Sequence, residues 1–295
     1  MIDSVTLHPE GRLKQSSDRR RVLVTGADGK IGSYFCEHNA QRYDLRMMFH
    51  REPEDRTGLD KLGEIVVADV TDLDQMKRVA AGTDTILHLA ADPSPKSEWA
   101  NLLPINIVGT YNTFAAARFC GVKRVIYASS IHAVSGYPED VQIKPSDPVN
   151  PGDLYGVSKC FGEALARYMA EQEGVSSITL RIGGFQPRSE ARKETGVQML
   201  DAWVSRRDLD QLIRLCIDAE GIKFAIFNGL SDNRFKRLDI SNARELLGYA
   251  PQDDTTEINP ELAPLDLDRR VMAHNVSDPN AESGVKDQNM KVTER

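Results

Sequence analysis

Cysteine is scarce in this sequence, and the few cysteines are far apart. They are Cys36, Cys120, Cys160 and Cys216 in a chain of 295 residues, and no two of them form a Cys-x-x-Cys pair. This pattern is typical of reduced, buried thiols rather than of a disulfide framework or a zinc site. We therefore expect a cytoplasmic protein.

Long hydrophobic runs and surplus basic charge are also missing. No apolar run approaches the roughly 20 residues that a membrane-spanning helix needs, and the polar residues 1–20 lack the apolar core of a secretory signal. Lysine and arginine number 37 against 44 aspartate and glutamate residues, which gives a net charge of −7. Because nucleic acid requires a basic face, these features argue against both a membrane and a nucleic acid as partner.

Two polar ends flank a patterned centre. Residues 1–20 have no sustained apolar period, and we expect a flexible leader there. Residues 260–295 are charged and free of aromatics. This composition predicts a flexible tail, with an extended arm across a neighbouring molecule as the alternative.

Short apolar runs alternate with helical stretches between residues 21 and 182. Continuous apolar runs are typical of strands buried on both faces, and their alternation with helices predicts an α/β fold with a doubly wound parallel sheet of the Rossmann type. The expected strands are Val22–Val24, Leu45–Phe49, Glu64–Ala68, Thr85–Leu89, Arg124–Ala128 and Ile178–Ile182. The expected helices are Ile31–Asn39, Leu73–Ala81, Asn101–Cys120 and Asp153–Glu173.

The alternation of short apolar runs with helical stretches ends after residue 182. Gly183–Val204 shows no clear strand or helix, and the pattern up to residue 259 is mixed. We expect residues 183–259 to form a small substrate-binding cap on a dinucleotide-binding domain of residues 21–182. The elements expected in the cap are a helix over Asp208–Asp218, a strand over Ala225–Phe227, and a helix that begins at an N-cap Ser241 and ends at Gly248.

A glycine-rich turn follows the first strand and opens the first helix. Gly26 and Gly29 allow a tight turn and the close approach of a pyrophosphate, while Gly32 lets the helix pack on the sheet. The alternative is a plain strand-to-helix turn. We expect a bound dinucleotide, and the contacts expected from this turn are Gly26, Asp28, Gly29, Lys30, Ile31 and Gly32.

The ends of the second and third strands bear on which dinucleotide binds. An acidic residue at the end of the second strand would bind the ribose hydroxyls of NAD. This sequence has His50 and Arg51 there, which suits the 2′-phosphate of NADP. The alternative is that both side chains face solvent, and NAD is then the cofactor. Asp69 and Val70 follow the third strand; Asp69 could accept from the adenine amino group or cap the helix that starts near Asp72.

A second motif combines three residues that can move a proton. Tyr155 and Lys159 are four residues apart and share one helix face. Lys159 can lower the pKa of Tyr155, which can then exchange a proton with a substrate oxygen held by Ser130. The alternative is that Tyr155 is a half-buried helix residue without a catalytic role. No metal is expected, because the dinucleotide accepts the hydride.

Together these elements resemble the extended short-chain dehydrogenase/reductase superfamily of NAD-dependent epimerases and dehydratases. The resemblance covers about Arg21 to Asp254, and within the superfamily it is to uronate dehydrogenases and archaeal sugar and sugar-phosphate dehydrogenases. The segments that carry it are 87–91 (Leu-His-Leu-Ala-Ala), 128–132 (Ala-Ser-Ser-Ile-His), 154–163 around the Tyr-x-x-x-Lys motif, 181–183 (Arg-Ile-Gly), 231–233 (Ser-Asp-Asn) and 246–249 (Leu-Leu-Gly-Tyr).

The resemblance implies oxidation of the anomeric hydroxyl of a cyclic sugar to a lactone. It implies that Asn106 is a catalytic residue linked to Lys159 through water, with an ordinary helix hydrogen bond as the alternative. Further cofactor contacts that it implies are Leu89, Ala90, Ala91 and Ile182. The substrate contacts expected are Ser94, Ser130, Ile131, His132, Gly184 and Gln198, where the alternatives are a rigid turn at Ser94 and simple packing of His132.

This sequence departs from the uronate dehydrogenase pattern at three positions. Ile131 stands where an asparagine is usual, Gly184 where a serine is usual, and Gln198 where an arginine binds the sugar carboxylate. Because glutamine does not replace a bidentate arginine, a simple uronate is not expected as the substrate. Arg188, Arg192 and Lys193 could attract a sugar phosphate or form a solvated charge run.

The predicted protein is thus an NAD(P)-dependent dehydrogenase of a small sugar, sugar acid or sugar phosphate. One alternative is a nucleotide-sugar epimerase or dehydratase, against which the short region after residue 182 argues. The other is a non-catalytic dinucleotide sensor, which would have no use for the proton-transferring residues. We also expect a homodimer formed by the two long helices, whose candidate contact residues are Phe114, Phe119, Tyr168 and Met169.

Overall fold

The computed structural model describes residues 5–7, 19–138, 140–192 and 200–262 of the chain. The strands are β1 (Val5–Leu7), β2 (Arg21–Thr25), β3 (Asp44–Phe49), β4 (Glu64–Val67), β5 (Thr85–His88), β6 (Arg124–Ser130), β7 (Ser176–Ile182), β8 (Gly184–Phe185), β9 (Trp203–Val204) and β10 (Ile222–Gly229). The α-helices are α1 (Lys30–Asn39), α2 (Leu73–Ala80), α3 (Trp99–Leu102), α4 (Thr110–Cys120), α5 (Leu154–Glu171), α6 (Arg188–Ala191), α7 (Arg206–Asp218), α8 (Ser241–Leu247) and α9 (Thr255–Ile258). A π-helical segment, Leu103–Gly109, joins α3 to α4, and short 3-10 turns lie at Leu59–Lys61, Ile131–Val134 and Pro260–Leu262.

Eight strands form one sheet in the order β1-β10-β7-β6-β5-β2-β3-β4. Neighbours from β10 to β4 pair in parallel, and β1 runs antiparallel along β10. The order runs outward in both directions from the β2–β5 pair, which confirms the predicted doubly wound sheet. A crevice opens at such a switch point beyond the carboxyl ends of the strands.

Helices cover both faces of the sheet, as the continuous apolar strands predicted. Every residue of β5, β6 and β7 is buried. Side chains of α1 and α7 share the core on one face, and side chains of α2, α4 and α5 share the core on the other. No helix among the described residues is both long and apolar enough to cross a lipid bilayer.

The sheet extends beyond the boundary expected at residue 182. β10, which the sequence placed in the cap, pairs with β7 in the main sheet, from Phe224 beside Ser177 to Gly229 beside Ile182. The crossover helix α7 precedes β10 and brings it beside β7. A local apolar run does not show which strand will become the parallel neighbour. The region after residue 182 therefore contributes to both the sheet and the cap.

Two segments expected to lack regular structure contain strands. Within the expected leader, Val5 and Thr6 pair with Ala225 and Phe224 of β10. Within Gly183–Val204, β8 and β9 form a two-stranded parallel ribbon. Both depend on distant partners, and strands of two or three residues carry no period that the sequence alone could show.

The cap helix α8 differs from its prediction at one end. Gly248 ends it with a left-handed φ of 67°, as expected. The prediction of Ser241 as N-cap is wrong: Ser241 is the first helical residue, and its backbone N donates to Asp239 Oδ1 at 3.0 Å. The Asp239 carboxylate thus accepts from the first N–H of the helix, and the Ser241 hydroxyl donates to the same oxygen at 2.5 Å instead of capping the helix.

Candidate active site

A cavity of about 710 Å3 lies at the carboxyl ends of the central strands. It extends from the glycine-rich turn after β2 to the start of α5 and the β8–β9 ribbon. The predicted site residues that line it are Gly26, Asp28, Gly29, Lys30, Ile31, Gly32, Leu89, Ala90, Ala91, Ser130, Ile131, His132, Tyr155, Lys159, Ile182 and Gly184. Residues from five separate segments therefore meet in one cavity.

The glycine-rich turn has the close backbone approaches that its sequence predicted. Gly26 has a φ of +66°, and a Cβ there would lie 3.0 Å from the backbone N of Ala90. A Cβ on Gly32 would lie 2.3 Å from the carbonyl oxygen of Gly26. α1 thus begins directly beside the turn, and its N-terminal N–H groups suit the negative charge of a pyrophosphate.

Thr25 joins the turn to the end of β5. Its hydroxyl accepts hydrogen bonds from the backbone N of Leu89 at 3.1 Å and of Ala90 at 3.2 Å. It also lies 2.9 Å from Nδ1 of the buried His88. Burial lowers the pKa of His88 to about 3, so this ring is neutral and serves to hold the two strand ends together.

His50 and Arg51 lie directly after β3, next to the glycine-rich turn. The backbone N of Ala27 in that turn donates to the carbonyl oxygen of Met48 at 3.2 Å. Both His50 and Arg51 are exposed and lie outside the lining of the cavity. They are therefore placed to contact a part of a ligand that extends from the cavity toward solvent.

Asp69 and Val70 also lie outside the lining of the cavity. Asp69 does not cap α2, because Asp72 takes that role by accepting from the backbone N of Asp74 and of Gln75. Instead Asp69 Oδ1 accepts from Thr71 N and Thr71 Oγ1, each at 2.8 Å. Val70 is buried, and its carbonyl oxygen accepts from Asn112 Nδ2 at 3.0 Å.

Ser130, Tyr155 and Lys159 face one another across the cavity. Tyr155 is 8% exposed and Lys159 is 3% exposed. Burial raises the pKa of Tyr155 to about 12, and its hydrogen bond with Ser130 acts in the opposite direction. The Ser130 contact therefore favours the ionised form of Tyr155.

Lys159 is held in place by the backbone. Its Nζ donates to the carbonyl oxygen of Ala128 at 2.8 Å and lies 5.5 Å from the centre of the Tyr155 ring. Burial lowers the pKa of Lys159 to about 7. The amine is therefore poised to gain or lose a proton near neutral pH.

Asn106 is buried in the π-helical segment and lies outside the lining of the cavity. Its amide accepts from the backbone N of Asp92 at 2.8 Å and donates to the carbonyl oxygen of Asp92 and to Ser158 Oγ, each at 3.0 Å. Ser158 Oγ in turn donates to the carbonyl oxygen of Tyr155 at 2.7 Å. The side chain of Asn106 thus joins the loop after β5 to α5 rather than bonding within its own helix. The link to Lys159 through water stays a prediction.

The expected substrate contacts are divided by the structure. Ile131, His132 and Gly184 line the cavity, whereas Ser94 does not. The Ser94 hydroxyl accepts from Lys96 N at 3.2 Å within a turn, as the alternative of a rigid turn predicted. Gln198 lies outside the described residues.

Two of the three basic residues noted in the cap lie within the described residues. Arg188 lies 3.3 Å from the carboxylate of Asp253, and Arg192 is exposed. Lys193 lies outside the described residues. The Arg188 contact favours the reading of a charge run over that of a free anion site.

Several lining residues were not among the predicted site residues. They are Pro93, Ala128, Ser129, Gly183, Phe185, Gln186 and Ala202. Phe185 and Gln186 reach the cavity because β8 pairs with β9, a contact that no local pattern indicates. Ser129 could have been found, since it belongs to the Ser-Ser pair that ends β6.

A buried ion pair supports the catalytic helix from behind. Arg181 on β7 donates to Glu163 on α5 through Nε at 3.0 Å and Nη2 at 2.9 Å. Ser129 Oγ donates to the same carboxylate at 2.6 Å. These contacts join β6, α5 and β7 directly behind the cavity.

Comparisons with known proteins agree with this geometry. Residues 22–208 match the model of the NAD dependent epimerase/dehydratase family. The chain is 35% identical to an NAD-dependent glucose-6-phosphate dehydrogenase of Haloferax volcanii, over 83% of this chain and 98% of that protein. It is 33% identical to an L-arabinose 1-dehydrogenase (NAD(P)(+)) of the same organism, over 81% and 98%.

A solved structure extends the comparison to three dimensions. A variant of uronate dehydrogenase from Agrobacterium tumefaciens, complexed with NAD, superposes with a TM-score of 0.75 at 33% identity. The match covers 84% of this chain and 91% of the other. The chain therefore shares the fold of this uronate dehydrogenase over most of its length.

Proposed function

Because the chain belongs to the NAD-dependent epimerase/dehydratase family, we propose that it is a dehydrogenase that oxidises a hydroxyl group of a small sugar, sugar acid or sugar phosphate with a nicotinamide dinucleotide. The observation that carries the proposal is one cavity lined by both the glycine-rich turn and the Ser130, Tyr155 and Lys159 side chains. The similar dehydrogenases act on sugars or sugar derivatives, and oxidation at an anomeric carbon would give a lactone.

The protein's own residues would bind and deprotonate the substrate. The dinucleotide, when bound, supplies the hydride acceptor. Ser130 holds the reacting hydroxyl, and Tyr155 takes its proton as general base. Because burial raises the pKa of Tyr155 to about 12, the base requires the help of its hydrogen bond with Ser130 and of positive charge on Lys159.

The first test is reduction of NAD or NADP, followed at 340 nm, with a panel of aldoses, uronic acids and sugar phosphates. We expect reduction with one sugar class and a loss of about 10²- to 10⁴-fold in Tyr155→Phe, with dinucleotide binding retained. Tyr137→Phe is the matched control, because its hydroxyl donates to the carbonyl oxygen of Pro148 outside the cavity. Its rate should stay close to that of the wild type.

Two outcomes would favour the other functions. No net reduction, together with a dinucleotide that survives purification, would support an epimerase or dehydratase that returns the hydride. Full biological function in Tyr155→Phe would support a sensor.

We infer NADP as the preferred dinucleotide, with NAD as the close alternative. The support is the exposed His50 and Arg51 pair beside the glycine-rich turn, where positive charge would favour a 2′-phosphate. Arg51→Glu should weaken NADP binding by about tenfold or more and leave NAD binding almost unchanged. Arg78→Glu, an exposed change on α2, controls for net charge, and a wild type that binds NAD more tightly than NADP would refute the inference.

We also infer a homodimer formed through the outer faces of α4 and α5. Phe119 is 72% exposed and Tyr168 is 49% exposed, whereas Phe114 and Met169 are buried in the core. Tyr111, at 53% exposed, extends the same apolar surface. Light scattering should give twice the chain mass, and Phe119→Glu should reduce it; a monomeric wild type would contradict the inference.

A cytoplasmic location, supported by the free cysteines, belongs to the same proposal.

A further inference from the structure

Two aromatic rings lie close to the ammonium group of Lys159. Its Nζ is 5.3 Å from the centre of the Tyr127 ring and 5.5 Å from the centre of the Tyr155 ring. Both distances are within the range of cation–π attraction, in which the negative face of an aromatic ring favours a cation. The carbonyl oxygen of Ala128 accepts from Nζ at 2.8 Å, but a neutral amine can donate to a carbonyl as well. The rings therefore add a preference for the charged form of the lysine.

Tyr127 belongs to the core of the protein and not to the cavity. It lies on β6, is 1% exposed and lies outside the lining of the cavity. Its ring packs against His88 and Phe114, with 6.0 and 6.2 Å between the ring centres. Gly162 of α5 lies directly against the same ring, because a Cβ at this position would overlap Tyr127 Cζ. The ring therefore has a fixed position beside Lys159.

The groups that face Lys159 from its own helix and from β5 and β6 are neutral. Burial raises the pKa of Tyr155 to about 12 and raises the pKa of Tyr127 well above its usual value. The pKa of His88 on β5 is lowered to about 3 by burial and by the charge of Lys159. None of these groups supplies a negative charge near neutral pH.

The carboxylates on the surrounding elements already have partners. Glu163 of α5 accepts from Arg181 of β7 and Ser129 of β6, Asp153 at the start of α5 lies against His132, and Asp92 after β5 accepts from Ser97. Burial is the one cause that shifts the pKa of Lys159. Among the described residues, no carboxylate therefore compensates the buried ammonium group.

We propose that Tyr127 is a positioning residue, whose ring holds the ammonium group of Lys159 in its charged form beside Tyr155. The inference rests on the proposed function, in which Tyr155 is a base that requires positive charge on Lys159. The face of the Tyr127 ring offsets part of the cost of burying that charge. A carboxylate at the same place would hold the ammonium group too, but its negative charge would oppose the ionisation of Tyr155. A neutral ring avoids that conflict.

Tyr127→Leu tests the role because it removes the ring face and keeps an apolar side chain. We expect the pKa of Lys159 to fall by about one further unit, since the charged form loses a favourable contact. Tyr127→Phe retains the ring and should restore the wild-type pKa. Carbon-13 NMR of the lysine Cε atoms in the dinucleotide-free protein measures this pKa, and Lys159→Met assigns the signal.

Two further variants separate the ring face from packing. Phe114→Leu is the matched control, because it removes an aromatic ring from the same core and leaves Tyr127 beside Lys159; the pKa of Lys159 should not change. A trifluorinated phenylalanine at position 127 keeps the shape of the ring and weakens its negative face. It should lower the pKa of Lys159 even where Tyr127→Leu fails to fold. An equal shift in Phe114→Leu would overturn the proposal.

The pH profile of turnover gives a second readout. Because Lys159 loses its proton at a lower pH in Tyr127→Leu, the alkaline limb of kcat/KM for the sugar should move by about one pH unit toward acid. The rate should thus be up to about tenfold below wild type on that limb and equal to it at acid pH. An unchanged pKa of Lys159 in Tyr127→Leu would overturn the positioning role. A lowered pKa without any sugar oxidation by the wild type would instead count against the proposed function.

Discussion

The two ends of the cavity are built in different ways. The glycine-rich end is made of backbone and small residues from one continuous strand–turn–helix segment, Arg21–Asn39. The opposite end collects Pro93, His132, Phe185 and Gln186 from segments far apart in the chain. Under the proposed function, the glycine-rich end (the constant end) would bind the cofactor through fixed backbone. The opposite end (the variable end) would contact the sugar through side chains that can vary without changing the fold.

The largest effect is expected for Gly32→Ala, at the glycine-rich end of the cavity. A Cβ at this position would lie 2.3 Å from the Gly26 carbonyl oxygen and 2.8 Å from Ala27 Cα, and neither backbone atom can move without opening the turn. We expect dinucleotide affinity to fall by about 100-fold or more, because the pyrophosphate contacts depend on that turn. Fluorescence titration with NADH and NADPH, alongside Tm, measures the change.

Gly82→Ala is the control for this substitution. Gly82 has a φ of +73° and nothing within 4 Å of an added Cβ. We expect a cost of about 1 kcal/mol in the free energy of unfolding and no change in dinucleotide Kd. Equal Kd values for Gly32→Ala and the wild type would show that the turn does not determine binding.

An intermediate effect is expected at Lys159, where the two ends meet. Burial lowers its pKa from 10.5 to about 7, so between these values the unfolded chain binds a proton that the folded chain does not. The cost of burying the amine is therefore fully present below about pH 7 and disappears as pH rises toward about 10.5. Without dinucleotide, Lys159→Met should have a Tm several degrees above wild type at neutral pH, with a smaller gain at alkaline pH.

The exposed Lys61→Met provides the baseline for that experiment. Its Tm should follow that of the wild type across the same pH range. A Lys159→Met gain that does not change with pH would mean that packing, and not the buried amine, determines the difference.

The smallest effect is expected at the variable end. Gln186 is half-buried and lines the cavity at the end of the β8–β9 ribbon. Gln186→Ala should raise KM for the sugar by a few-fold and leave the dinucleotide Kd unchanged, since the loss of one hydrogen bond costs about 1 kcal/mol. Steady-state kinetics with each substrate varied in turn separates the two constants, and a change confined to the dinucleotide would assign Gln186 to the other end.

The sequence allowed the constant end to be predicted closely and the variable end only in part. The strand before Gly26 and the helix after Gly29 are local, so period and composition were sufficient. Phe185 and Gln186 join the site through the pairing of Gly184 with Trp203 and of Phe185 with Val204, which depends on a contact between two strands that are not adjacent in sequence. Such a contact leaves no mark in a local pattern.

Side-chain chemistry was harder to predict than position. Tyr155 and Lys159 line one cavity, as their spacing indicated, but the extent of burial that shifts their pKa values is set by the whole fold. The side-chain amide of Asn106 is committed to Asp92 and Ser158, and the sequence did not indicate these contacts. A motif names the residue types, while the surrounding packing decides which of their atoms remain available.

The pairing of β1 with β10 has a consequence for the order in which the chain can fold. Val5 lies beside Ala225, so the two strands are roughly 220 residues apart in sequence. Because the chain is synthesised from its N-terminus, nearly all of the sheet is made before β10 exists. Closing so long a loop costs conformational entropy, and no contact close in sequence offsets that cost. Of the strands in this sheet, the earliest to be synthesised is thus the last that can find its partner.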